Sequence, residues 1–507
     1  MKRLDLTPIV MAGLAVGVMS LACTNGGEDE DTSDSITTLP TITASATDGM
    51  TSSDDVGEET GEKLDVGGGG TGNPTCNNGD VGCTDQIDLL FVIDNSGTMG
   101  EEQINLARNF PLLIERLEGL TDSSGTEVNP DVQIMVTTTD FGNPLCTPFE
   151  PEGYDPSRGA PINTACTTRL QDFTDLIGTN MVPEACQNTC PNPVAPEGNF
   201  IAFSPEGDNI PDSVVPTDID GDGEPDSPAA QALSCIGPQG INGCGYESPL
   251  ENMLQALNPS AAWNSGPDGS NPTPFLRPNA LLAVAMVTDE ADCSVKDYSI
   301  MSNPAFQNVN PDTGSASASS AICWNAGVTC TGPDAMGVFS TCTSQAAENL
   351  QPITRYTNYL IDELRENQGK EVIMLGILGV PLVTARNPDA PFQPTAGGVF
   401  DLVYRNWRDG PYPGGDILPT EDAMGVSAAD KQFDFGVGPG CTGTDELGAF
   451  TGQAIPPVRI KEVCESLNLG PEPEDIRCCI ESICDDDFSP AIECLAGIIR
   501  ESIQLPG

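Results

Sequence analysis

Hydrophobic positions along this chain fall into short unbroken runs separated by stretches in which they recur every three or four residues. The run Asp88-Leu89-Leu90-Phe91-Val92-Ile93 is almost wholly apolar and stops at Asp94, as expected for a strand covered on both faces of a parallel sheet. Ile104, Ala107, Phe110, Ile114 and Leu117 then follow at helical spacing and predict a core-facing helix, with Pro111 bending it. Val132 to Thr138, Ala280 to Val287 and Val372 to Leu378 read as three further strands, and Ile353, Tyr356, Leu360 and Leu364 mark a helix between the last two. Two more helices are predicted at Pro457 to Leu467 and Ser489 to Ile503, the second with Ser489 as N-cap and Pro490 at its first position. Strand and helix alternating over this distance predict an α/β fold, doubly wound about a mostly parallel sheet.

Aperiodic stretches at 142–246, 290–350 and 381–455 interrupt these units and read as long insertions. Cys146, Cys166, Cys186, Cys190, Cys235 and Cys244 lie in the first, and Cys293, Cys323, Cys330 and Cys342 in the second. The chain has no CxxC pair and no histidine, so disulfides are expected here rather than zinc, with the connectivity left open.

The amino terminus carries an address. Lys2 and Arg3 precede an apolar run from Ile9 to Leu21 that is short for a membrane span, with small residues before Cys23. This segment, 1–23, resembles a bacterial lipoprotein signal, which implies a lipid on Cys23. It places the protein in the bacterial cell envelope, at the outer membrane or cell surface, touching the membrane through the anchor alone. An ordinary cleaved signal and secretion are the alternative. Lipidation would leave an even number of the 19 cysteines for pairing. Residues 24–75 hold 12 acidic residues, one lysine and no aromatic, so they are expected to form a disordered tether ahead of a folded part at 76–507.

Charge and composition remove several functions. With 20 Lys and Arg against 75 Asp and Glu, the formal charge is −55, which excludes a nucleic-acid partner because neutralising phosphates requires basic residues. The absence of histidine rules out a Ser-His-Asp triad, a Cys-His dyad and His-ligated zinc. No carboxylate pair stands out for acid–base work, and an enzyme is not expected.

The informative motif is DLLFVIDNSGTMGEEQ. Asp94, Ser96 and Thr98 occupy alternate positions in a turn between a buried strand and a helix, so three oxygens can converge above the sheet. The same residues would also suit a helix cap and turn hydrogen bonds, but ligands of open α/β sheets bind at strand carboxyl ends, which favours a hard metal ion. The pattern resembles the metal-ion-dependent adhesion site of von Willebrand factor A domains, D-x-S-x-S/T after the first strand. That resemblance implies a von Willebrand factor A-like, Rossmann-like fold over about residues 85–503. It also implies Mg²⁺ or Mn²⁺ held by Asp94, Ser96 and Thr98, with Asp289 at the end of the strand AVAMVTD as a second element. The family's remaining ligand is a Thr before a helix. In GCGYESPLENML the aligned residue is Ser248, with Glu247 as a competing choice.

A second ion loop lies in the first insertion. Asp218, Asp220, Asp222 and Asp226 fall at positions 1, 3, 5 and 9, with Gly223 at position 6 where a calcium loop turns sharply. It resembles the loops of thrombospondin type 3 repeats and implies Ca²⁺. Asp208 to Asp212 is a partial copy, and the acidic run at 482–488 reads as a polar turn before the last helix. The function expected is an envelope-anchored adhesion protein that grips an acidic group of a protein or glycan through the Mg²⁺ ion. The alternative is a calcium-stabilised structural surface protein without a dedicated ligand.

Overall fold

The computed structural model describes residues 84–503, apart from 176–177, 179, 266–272, 346–348, 413–414, 416, 419–425 and 445–449. The leader, Cys23 and the tether expected at 24–75 lie outside the described residues. The described part belongs to the unit Thr71–Gly507.

Seven strands form the central sheet: β1 (Gln86–Ile93), β2 (Asp131–Thr138), β3 (Ile201–Ser204), β4 (Gly207–Asp208), β5 (Leu281–Val287), β6 (Val372–Leu378) and β7 (Cys478–Ser482). Their spatial order is β7-β6-β5-β1-β2-β3-β4. The first five in that order run parallel, and β3 and β4 return antiparallel at one edge. β1 is central, with Leu89 opposite Ile134 of β2 and Ala283 of β5. Its burial on both faces explains the unbroken apolar run.

The period of two along β1 divides the core. Ile87, Leu89, Phe91 and Ile93 face one layer, built with α1 (Gly100–Glu118), α2 (Pro228–Ile236) and the C-terminal helix Ser489–Ser502. Leu90 and Val92 face the other, built with α3 (Pro249–Ala256), the helix beginning at Thr354–Thr357, and the helix Val458–Glu465. Phe91 meets Phe110 of α1 edge to face at 5.4 Å, and each such fully buried side chain contributes roughly 1.5–3 kcal/mol. α1 runs unbroken through Pro111, whose ring is buried against this layer.

Two readings of the sequence are corrected, and the helix expected at Ile353 to Leu364 is present with a local change of type. The insertion at 142–246 is not wholly irregular, because it supplies β3, β4 and α2. The helix at Thr354 widens into a π-helix over Asn358–Asn367. Ser489 is not the N-cap of the last helix: Phe488 precedes the first turn, and Ser489 donates its N–H and hydroxyl to the Asp487 carboxylate at 2.9 and 2.8 Å.

Among the described residues eight disulfides pair all sixteen cysteines. Three lie within the first insertion (Cys146–Cys244, Cys166–Cys186, Cys190–Cys235) and two within the second (Cys293–Cys323, Cys330–Cys342). Cys478 and Cys479 are neighbours on β7 and so face opposite sides of the sheet. Cys478 bonds Cys464 and Cys479 bonds Cys494, fastening the edge strand to a helix on each face. No helix among the described residues is long and apolar enough to cross a membrane.

Candidate metal centre

The chain leaves β1 for β2 on one side and returns through β5 on the other, so the strand order reverses between β1 and β5. In open α/β sheets the loops beyond the carboxyl ends diverge at such a point, and the ligand crevice is expected there. Asp94 and Asp289 stand at its two walls. The Asp94 N–H donates to the Val287 carbonyl at 2.9 Å, extending the ladder one residue and fixing where its side chain emerges.

The side chains are tied across the crevice. Asp94 accepts the Ser96 N–H at 2.8 Å on Oδ1 and the Thr288 hydroxyl at 2.5 Å on Oδ2. Thr98 donates its hydroxyl to Asp289 Oδ2 at 2.6 Å, and the Ser96 and Thr98 hydroxyl oxygens lie 3.5 Å apart. Below them the buried Gln103 amide donates to the carbonyls of Asp94 and Gly240 at 2.8 and 2.7 Å, and its oxygen accepts the N–H groups of Gln239 and Gly240. These bonds hold the turn after β1 against the end of the first insertion.

Glu247 and Ser248 differ in what they offer. Ser248 gives its hydroxyl to the Cys293 carbonyl at 2.9 Å. Glu247 is fully buried, and neither carboxylate oxygen has a hydrogen-bond partner. Asp289 Oδ1 and Glu102 Oε2 are likewise buried and unpartnered.

Electrostatics set this cluster apart. Four other buried carboxylates have cations: Asp88 pairs with Arg277 at 2.7 Å, Asp292 with Arg459 at 2.8 Å, Glu371 with Arg477 at 2.6 Å and Glu481 with Arg386 at 2.6 Å, while Asp140 is satisfied by the Tyr154 hydroxyl and the Gly142 and Cys244 N–H groups. Among the described residues no Lys or Arg forms an ion pair with Asp94, Glu102, Glu247, Asp289 or Glu290. Burial, then repulsion by Asp94, pushes Asp289 up to about 7, and burial, then Asp289, pushes Glu102 up to about 8. Burial also raises Asp94, and with Asp94 as the leading charged neighbour it raises Glu247 well above the usual carboxylate range. Burial followed by Asp289 does the same to Glu290. Buried carboxylates with orphaned oxygens and no counter-charge are a donor set that a hard divalent cation fits.

Of the residues expected from the sequence, the fold gathers Asp94, Ser96, Thr98 and Asp289, while the Ser248 hydroxyl is engaged by the Cys293 carbonyl. Thr288, Glu290, Glu102 and Gln103, which the sequence reading did not single out, stand around them. The first two adjoin Asp289, and the other two follow the motif in GEEQ, so proximity to the motif was the available signal.

The insertion loop has its own geometry. One carboxylate oxygen from each of Asp218, Asp220 and Asp222 lies within 4.8 Å of the others, all three residues being exposed, and this trio could bind a metal. Gly223 is left-handed at φ +97°, as the spacing requires. Asp226 stands outside the trio, its Oδ2 accepting the Ile219 N–H at 2.7 Å, while its backbone bridges to Thr217. Asp208 of the partial copy instead caps its own turn, accepting the Ile210 N–H at 2.9 Å. The carboxylates at the strand ends do not meet the 4.8 Å spacing of that trio; hydroxyls of Ser96, Thr98 and Thr288 stand among them.

Compared with protein-family models, curated proteins and solved structures, the chain has no match.

Proposed function

We propose that this chain is a divalent-cation-dependent binding protein of the von Willebrand factor A type, carried on the bacterial envelope by its lipidated amino terminus. One observation carries the reading: Asp94, Ser96, Thr98 and Asp289 are tied together at the β1/β5 strand ends near the fully buried Glu247, with unpartnered oxygens on Asp289 and Glu247 and, among the described residues, no ion-paired cation. Asp94, Ser96, Thr98 and Asp289 would hold Mg²⁺ or Mn²⁺, directly or through water. The ion would supply a Lewis-acidic point whose open position a partner's oxygen completes. The residues around it are built for holding an ion rather than for moving protons, since the chain has no histidine to take the base's part.

The insertion trio Asp218, Asp220 and Asp222 favours a second role for Ca²⁺, stiffening a loop that has little core of its own. Pull-down of envelope material by the full chain, with Mg²⁺ or with EDTA, tests the binding reading. Capture that requires Mg²⁺ supports it. Calcium-dependent stability with no cation-dependent capture would replace it by the structural alternative.

A further inference from the structure

Resting on the binding reading above, we infer that Glu247, not Ser248, is the remaining protein ligand of the strand-end ion, and that its charge makes the centre refuse a partner's carboxylate. The two residues are adjacent, yet only one is available. Ser248 spends its hydroxyl on the Cys293 carbonyl at 2.9 Å, and its N–H donates to the Thr139 carbonyl at 2.9 Å. The Glu247 carbonyl accepts the Cys293 N–H at 2.6 Å, so backbone bonds on both sides of the crevice hold this dipeptide in place. The Glu247 side chain is enclosed there. It is 0% exposed, both oxygens lack partners, and Asp94 is its foremost charged neighbour. A buried carboxylate beside another carboxylate is costly unless a proton or a cation lies between them, and a divalent ion at the strand ends would take the proton's place.

The consequence for ligand choice is arithmetic in charge. Asp94, Asp289 and Glu247 together outweigh a divalent ion, and Glu102 and Glu290 stand next to them. An acidic group approaching the ion would meet a centre that is already negative, whereas water or another uncharged oxygen would not. A hydroxyl in Glu247's place would leave the ion net positive or neutral and open to a carboxylate, which is the behaviour expected from the resemblance alone. Glu247 is therefore the specificity-determining residue of this centre.

Mn²⁺ alone serves as the probe, with the full chain carrying Asp220→Asn and Asp222→Ala so that the insertion loop does not contribute. Calorimetry should show that Glu247→Gln weakens Mn²⁺ binding by about tenfold or more and that Ser248→Ala changes it by less than about twofold. Water-proton relaxation reads the ion's open position. Acetate should leave the relaxivity of the Mn²⁺-loaded parent unchanged and lower that of loaded Glu247→Gln. A parent whose relaxivity falls with acetate, a pair of proteins that both ignore it, or a loss confined to Ser248→Ala would overturn the inference. The acetate measurement on the parent needs no variant at Glu247 to fold. If the parent binds no Mn²⁺, or binds it equally after Asp94→Ala, the ion centre itself is wrong. If Asp94 matters and Glu247 does not, only the present assignment fails.

Discussion

The Thr98 hydroxyl donates to the Asp289 carboxylate across 2.6 Å, joining the turn after β1 to the end of β5, 191 residues further along the chain. This bond, the Thr288–Asp94 bond and the Ser96 N–H bond to Asp94 stabilise the charge of the two strand-end carboxylates. Thr98→Val removes that donor with little change in shape. It should weaken Mg²⁺ or Mn²⁺ binding by at least about tenfold, because it removes both an oxygen proposed to hold the ion and the bond that positions Asp289, and leave the fold intact. Calorimetric titration alongside near-ultraviolet circular dichroism checks both halves.

Gln103 buries four backbone hydrogen bonds under the centre. Gln103→Leu would keep the volume but strand two carbonyls and two N–H groups. Each buried orphan costs about 1–3 kcal/mol, so chemical denaturation should show a loss of at least about 2 kcal/mol. A loss within roughly 0.5 kcal/mol, the scatter of surface changes, would mean the turn is held by other contacts.

Much of the fold was legible because its central strands are buried on both faces. Val372–Leu378 is apolar from end to end, and the predicted and observed bounds coincide. β3, β4 and β7 were not legible. β3 and β4 are short, antiparallel and set among Asn, Gly and Pro, and β7 hides its apolar character in Cys478 and Cys479. At the site, the local spacing of Asp94, Ser96 and Thr98 could be read from the motif. Glu247 against Ser248 could not, because the choice depends on the Cys293 carbonyl, which only tertiary structure brings beside them.

The raised carboxylates make metal-free stability depend on pH. Asp289 rises from 3.8 to about 7 and Glu102 from 4.5 to about 8, so the folded protein holds more protons than the unfolded chain across that window. Their contribution is full below about pH 4 and is lost as pH rises through 7 to 8. In EDTA the denaturation midpoint should therefore fall between pH 5 and pH 8. Mg²⁺, which replaces those protons, should restore it at pH 8. A midpoint that is flat with pH in EDTA would contradict the charge pattern.

In the insertion, Ca²⁺ should protect residues 205–235 from proteolysis. Ca²⁺ at about 100 times its dissociation constant adds roughly 2.7 kcal/mol to whatever unfolds with the loop. Replacing Asp220 by Asn and Asp222 by Ala should abolish the protection, while Asp94→Ala should retain it. Equal cleavage with and without Ca²⁺ would leave the trio as a solvated turn.

The sixteen paired cysteines leave Cys23, Cys76 and Cys83 of the 19 in the sequence. If Cys23 carries lipid, Cys76 and Cys83 complete an even set. Alkylation without reduction, followed by mass spectrometry of the mature protein, should find no labelled thiol and an acylated Cys23. Labelling at several positions would place the protein in a reducing compartment.

The central claim is a divalent ion at the β1/β5 crevice, and its most direct test is a Mg²⁺ titration by calorimetry in the loop-silenced background Asp220→Asn, Asp222→Ala. The account predicts one bound Mg²⁺ per chain, with binding lost in Asp94→Ala. An absence of binding in the parent, or the same affinity in both proteins, would contradict it.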